Sequence, residues 1–177
     1  MADSVWLSST SGPRLAGLID QPEGPVRGWG VFSHGFTLGK NSLAASRICK
    51  QLANEGVGML RFDNLGLGDL DGDWGDGSFS HKVADTAQAV RFMNESGRVV
   101  RLLVGHSFGG AAVIAVAHQL DSVRAVASIG APDDWRTTGR VPPMPSRVNA
   151  AASSTPRPSR RASGSAPGLR TMSMSWC

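Results

Sequence analysis

The residues in this chain best suited to chemistry are Gly105-His106-Ser107-Phe108-Gly109-Gly110. They lie between two segments of different grammar. Val99–Val104 before them reads as a short buried strand. Ser107–Leu120 after them reads as a helix, apolar on nearly all sides through its AAVIAVA run. A serine with glycines two residues away on either side, at a strand-to-helix turn, is the arrangement that mounts an exposed nucleophile. The turn is strained and crowded, so Gly105 and Gly109 avoid clashes that larger residues would make. The hydroxyl then stands clear of the sheet at a helix N-terminus. Backbone N–H groups and the helix dipole favour negative charge developing there. The corresponding chemistry is attack of Ser107 on a carbonyl. The strand–turn–helix context carries this reading more than the five-residue pattern does.

A second signal lies upstream, in Phe32-Ser33-His34-Gly35-Phe36. It follows the strand Val31–Ser33. In folds with this kind of serine turn, the residue after a His-Gly pair donates its backbone N–H to the oxyanion. That residue is Phe36, and Phe108 supplies the other donor. His34 reads as a residue that orients the loop rather than one that moves protons. Gly35, Gly105, His106 and Gly109 read as structure for the turn and loop.

The elements that must hold these residues alternate along residues 1–130. Asn41–Glu55 reads as a helix stopped by Gly56, and Val57–Phe62 as a buried strand. Ser80–Ser96 reads as an amphipathic helix capped by Ser80 and ended by Gly97. Val123–Ile129 reads as a further strand, and residues 5–19 as an antiparallel edge hairpin. Strands alternating with helices give an α/β fold, a mostly parallel sheet with helices on both faces.

Residues 131–177 break this grammar. They hold seven of the ten prolines and seven arginines, with no Lys, no Glu and no periodic apolar run. Such a segment cannot bury enough surface to offset its ordering entropy. The chain therefore divides into a domain over residues 1–132 and a disordered Arg/Pro/Ser-rich tail over 133–177. The net charge of +4 comes from that tail, because residues 1–130 carry 11 Lys+Arg against 12 Asp+Glu. Arginines without aromatic interleaving or helical order do not make a nucleic-acid site.

The two cysteines, Cys49 and Cys177, imply no disulfide framework and suit a reducing cytoplasm. No secretory leader is visible in MADSVWLSSTSGPRL, and no apolar run approaches the ~20 residues of a membrane span. No cofactor is implied, since the only Gly-rich turn before a helix is the one at Ser107. The acidic stretch Asp69-Leu70-Asp71-Gly72-Asp73 does not form a calcium loop. Trp74 and Ser80 stand where that loop needs Gly and Glu.

Taken together, FSHGFTLGKNSLAASRI, LRFDNLGLGDLDGD, FSHKVAD, LLVGHSFGGAAV and AVASIGAP resemble the α/β-hydrolase superfamily. The similarity is greatest to the hydrolase half of bacterial bifunctional α/β-hydrolase/OsmC-type proteins. The resemblance covers about residues 28–132. It implies a serine hydrolase acting on a small acyl substrate, with Ser107 as nucleophile and Phe36 and Phe108 as oxyanion donors. It also implies that Asp63 and Gly66-Leu67-Gly68 form the loop after a sheet strand near the site mouth.

The resemblance sharpens what is missing. In this family the triad runs Ser, then acid, then His, and serine needs that base because it is a weak nucleophile alone. The four histidines are His34, His81, His106 and His118. His118 lies eleven residues along the helix that Ser107 opens, ~16 Å away at ~1.5 Å per residue. His106 is locked beside Ser107, and His81 opens another helix. Asp133 is the candidate acid, with Asp134 beside it, although both also read as plain loop acids. The expected fold is thus an incomplete α/β-hydrolase, truncated after its sixth strand, with Val123–Ile129 left as an uncovered edge. Two functions follow: a serine hydrolase, or a non-catalytic remnant or binding module on the same scaffold.

Overall fold

The computed structural model describes residues 2–9, 12, 14–36, 38–64, 79–131 and, as backbone, 170–174. Its elements run β1 (Ala2–Leu7), β2 (Leu15–Asp20), β3 (Gly28–Ser33), α1 (Leu43–Asn54), β4 (Val57–Phe62), α2 (Phe79–Glu95), β5 (Val100–His106), α3 (Phe108–Ala117), β6 (Ala125–Ile129) and β7 (Arg170–Met174). The strands form one seven-stranded sheet in the order β1-β2-β4-β3-β5-β6-β7. The pairs β3–β4, β3–β5, β5–β6 and β6–β7 are parallel. The β1–β2 hairpin and the β2–β4 pair are antiparallel, so the expected edge hairpin is present.

Alternation along the central strands sorts their side chains to two faces. Val31, Leu60 and Leu103 join α2 residues Ala87, Val90 and Met93 and α3 residues Val113 and Val116 in one core. Phe32, Met59 and Val104 join Ala45 and Cys49 of α1 in the other. Helices therefore cover both faces. Ser42 caps α1, its side chain accepting from the Ala45 N–H over 3.4 Å. Gly56 follows α1 at φ 83, a left-handed conformation that suits glycine after a helix.

Two expectations are corrected. Ser80 does not cap α2, because the helix already includes Phe79. Phe79 is buried against Ala111, Ala112 and Phe108, and that packing draws it into the helix. The sheet does not stop at its sixth strand. The backbone of Arg170–Met174 pairs with Ala125–Ile129 along its whole length, so β6 is not an uncovered edge. Within the tail, Arg170–Met174 is the one described strand. The rest of residues 133–177 lie outside the described residues.

Candidate active site

The carboxyl ends of β3, β5 and β6 lie side by side, with Ser33 opposite Gly105 and Gly105 opposite Ser128. Open α/β sheets bind ligands at this end. Here β5 ends at His106, α3 begins at Phe108, and Ser107 makes the turn between them. Ser107 is at φ 52 and ψ −122 and is the only non-glycine residue with positive φ among the described residues. That conformation costs a side-chain-bearing residue roughly 1–3 kcal/mol and persists only where its surroundings hold it. Its N–H donates to the Ile129 carbonyl over 2.8 Å, and its carbonyl accepts from the Gly110 N–H over 2.8 Å. Its side chain makes no cap hydrogen bond to α3.

The two flanking glycines are required by close approach. A Cβ on Gly105 would run into the Gly109 carbonyl and, at 2.6 Å, the Gly110 Cα. A Cβ on Gly109 would meet the Ser33 and His34 carbonyl oxygens. The first turn of α3 thus lies directly on the end of β3. This contact brings the His34-Gly35-Phe36 loop to the serine. A Cβ on Gly35 would lie 3.3 Å from the Ser107 Cβ and 3.2 Å from His106 Nδ1.

His34 is 1% exposed, and its Nδ1 donates to the Gly35 carbonyl over 2.8 Å. Burial, and then the Lys82 charge, push its pKa down to about 3, against a smaller upward effect of the Gly35 hydrogen bond. A ring kept neutral to that pH is a weak proton acceptor. His106 is half-buried with a buried Nδ1 that has no partner among the described residues. Phe108 opens α3, so its N–H is one of the N-terminal amides that no helical carbonyl can accept. Phe36 lies on the His34 loop, its ring edge-on to Phe108 at 5.9 Å.

The structure brings together Ser107, Phe108, His106, Gly105, Gly109, His34, Gly35 and Phe36. It does not bring in His118, which caps the far end of α3. His81 lies in the first turn of α2, close enough for its charge to act on Asp85. Asp133, Asp134, Gly66-Leu67-Gly68 and the Asp69–Asp73 stretch lie outside the described residues. No cluster of metal-ligating side chains occurs among the described residues. A cavity of about 420 Å³ lined by Asp20, Lys50 and Arg61 shares no residue with the Ser107 turn.

Two buried polar networks support the loops around the turn, and sequence reasoning did not find them. Asp63, just after β4, accepts from the Lys40 backbone N–H over 2.6 Å and from Lys40 Nζ at 2.5 Å. Arg61 donates to Asp20 through Nε over 2.7 Å and to the Lys40 carbonyl through Nη1 over 2.7 Å. Together they anchor the segment that runs from the His34 loop into α1. On the other side, Lys82 donates to Asn64 Oδ1 at 2.5 Å, and Asn64 Nδ2 donates to Asp85 at 3.4 Å. Burial pushes the Lys82 pKa down to about 7, against the opposing pull of Asp85. These partners are 18 to 41 residues apart in sequence, so only the charged residues within otherwise apolar runs hint at them.

A family model described as serine aminopeptidase, S33, matches residues 24–165. The esterase domain of a Rhodothermus marinus protein is 37% identical, with a TM-score of 0.61 over 76% of this chain and 52% of that one. Est1E from Butyrivibrio proteoclasticus, solved with ferulic acid bound, is 23% identical, with a TM-score of 0.66 over 72% of this chain and 52% of that one. An α/β serine hydrolase homologue from Coxiella burnetii is 22% identical, with a TM-score of 0.67 over 75% and 64% respectively. The last two likenesses are of fold. This chain spans about half to two thirds of the length of these structures. No curated protein matches it.

Proposed function

The chain belongs to the serine aminopeptidase (S33) family of α/β-hydrolases, and on that premise we propose that it is a serine hydrolase whose nucleophile is Ser107. The observation that carries this reading is the strained backbone of Ser107, held at φ 52 between β5 and α3 with the His34-Gly35-Phe36 loop against it. Strain of this kind is found where a reactive group must be held in one pose.

In the proposed reaction Ser107 Oγ bonds to the carbonyl carbon of an ester, thioester or amide. The carbonyl π electrons move onto oxygen, and the Phe36 and Phe108 N–H groups stabilise that oxyanion. Collapse expels the leaving group, which takes up the proton lost by Ser107. Water then hydrolyses the acyl-serine. An ester is the first substrate class to try, because the 37% identical structure is that of an esterase domain. Within the family, the sequence motifs favour the hydrolase half of OsmC-type bifunctional proteins. A buried free thiol at Cys49 suits a cytoplasmic setting. No helix among the described residues is long and apolar enough to cross a membrane.

A second reading, a binding module on the same scaffold, is favoured by the histidines. His34 is committed to the Gly35 carbonyl, and His118 stands at the far end of α3. Hydrolysis of p-nitrophenyl acetate separates the two readings. The hydrolase reading expects turnover that falls by about 10³-fold or more in Ser107→Ala. Turnover equal in the two proteins sinks it.

A further inference from the structure

The two buried networks beside the Ser107 turn meet at one pair of adjacent residues, Asp63 and Asn64. Along β4 the side chains alternate between the faces of the sheet. Met59 lies in the core under α1, and Leu60 and Phe62 lie in the core under α2 and α3. Asp63 and Asn64 continue that alternation past the strand end, and both are buried. Asp63 turns to the α1 side and accepts from the Lys40 backbone N–H and from Lys40 Nζ. Asn64 turns to the α2 side, where it accepts from Lys82 Nζ and donates to Asp85. The Asp63 N–H also donates to the Ala16 carbonyl over 2.8 Å, which pins this corner to β2.

Each arm of the corner leads to one side of the Ser107 turn. Lys40 stands two residues after Leu38, whose N–H donates to the Gly35 carbonyl over 3.4 Å and closes the turn that holds Phe36. Lys82 lies one helical turn after Phe79, whose ring meets that of Phe108 at 5.2 Å. Its charge also acts on the buried His34 ring. The corner therefore links the loop of one proposed oxyanion donor to the helix packed against the other. Hydrogen bonds between buried groups, one of them charged, fix distance and direction more tightly than apolar contacts, which can slide.

We infer that Asn64 and Lys82 are positioning residues, which through the Asp63-Asn64 corner set the spacing between the Phe36 and Phe108 N–H groups. This inference rests on the reading of those two N–H groups as the oxyanion donors. Neither side chain touches the substrate in this role. The donors must stand about 3 Å from the oxygen that takes up the charge. Moving them apart therefore slows the chemical step more than it weakens substrate binding.

The test uses the full chain carrying Lys82→Met, which keeps the length of the side chain without its charge, and separately Asn64→Ser, a milder change. Both are followed by amide NMR and by p-nitrophenyl acetate hydrolysis per fluorophosphonate-labelled site. In the folded variants the Phe36 and Phe108 amide signals are expected to shift. Those of Glu55 and Gly56, at the far end of α1, are expected to stay in place. The expected kinetic effect is a fall in kcat of about tenfold or more, with KM within about twofold. Unmoved Phe36 and Phe108 signals in a folded variant, or a loss confined to KM, overturn the inference. A wild-type chain that neither takes the label nor turns over substrate fails the hydrolase reading instead. The amide shifts then still decide whether the corner couples the Phe36 loop to the start of α3.

Discussion

The Ser107 N–H donates to the Ile129 carbonyl over 2.8 Å, so the turn between β5 and α3 is tied to the last residue of β6. On its other side the same turn is wedged against β3 through Gly109. Ser107 is thus held by three strands at once, which is how the backbone tolerates φ 52 there.

Gly109→Ala tests that wedge. In an ordinary helix the change gains roughly 0.5–1 kcal/mol. Here the new methyl meets two backbone carbonyls, of Ser33 and His34, which cannot rotate away. Overpacking of this kind costs roughly 1–3 kcal/mol, so the clash wins. Urea melts are expected to show net destabilisation of at least about 1 kcal/mol, with loss of hydrolysis as the loop shifts. Gly28→Ala is the control: its Cβ meets nothing within 4 Å, and it is expected to change stability by less than about 0.5 kcal/mol.

Much of this was legible in the sequence, and the reasons are local. β4 begins and ends as read, at Val57 and Phe62, because Gly56 stops α1 and the apolar run is unbroken. The burial of α3 followed from AAVIAVA, and the serine turn from its glycines. What was not legible depends on distant contacts. Phe79 enters α2 because of rings and alanines on α3. β7 forms on the exposed backbone of β6 from an Arg-Thr-Met-Ser-Met stretch that has no strong strand pattern. The Asp20–Arg61 and Lys40–Asp63 pairs join residues 41 and 23 apart, where no periodicity operates.

His34 makes the fold sensitive to acid. Burial, and then Lys82, hold its folded pKa at about 3, below the ordinary 6.5. Between those values the unfolded chain binds the extra proton, so stability falls as pH drops through that window. The loss approaches about 1.4 kcal/mol per pH unit below 6.5. Asp85, raised chiefly by burial, acts in the opposite direction, but it is common to wild type and variant. Going from pH 7 to pH 4.5, wild type is expected to lose about 2–3 kcal/mol more than His34→Gln. Parallel urea titrations of the two proteins check this, and equal losses contradict it.

Asp20→Ala tests the network behind the loop. Arg61 and Asp20 are both about 95% buried at the side chain, and removal of the acid leaves a guanidinium without its partner. Breaking such a pair costs about 3–5 kcal/mol. Arg61 also holds the Lys40 carbonyl, so the loss is expected to reach the segment after Phe36. Equilibrium unfolding measures the cost. Amide exchange at Lys40 and Asn41 is expected to quicken at the same time, and unchanged exchange there contradicts the coupling.

Intact-mass measurement after treatment with a small fluorophosphonate tests most directly whether Ser107 is a nucleophile. The expected result is one adduct per folded wild-type chain, located at Ser107 by peptide mapping and missing from Ser107→Ala. An unlabelled wild-type chain with a native circular dichroism spectrum, or equal labelling of Ser107→Ala, contradicts the claim.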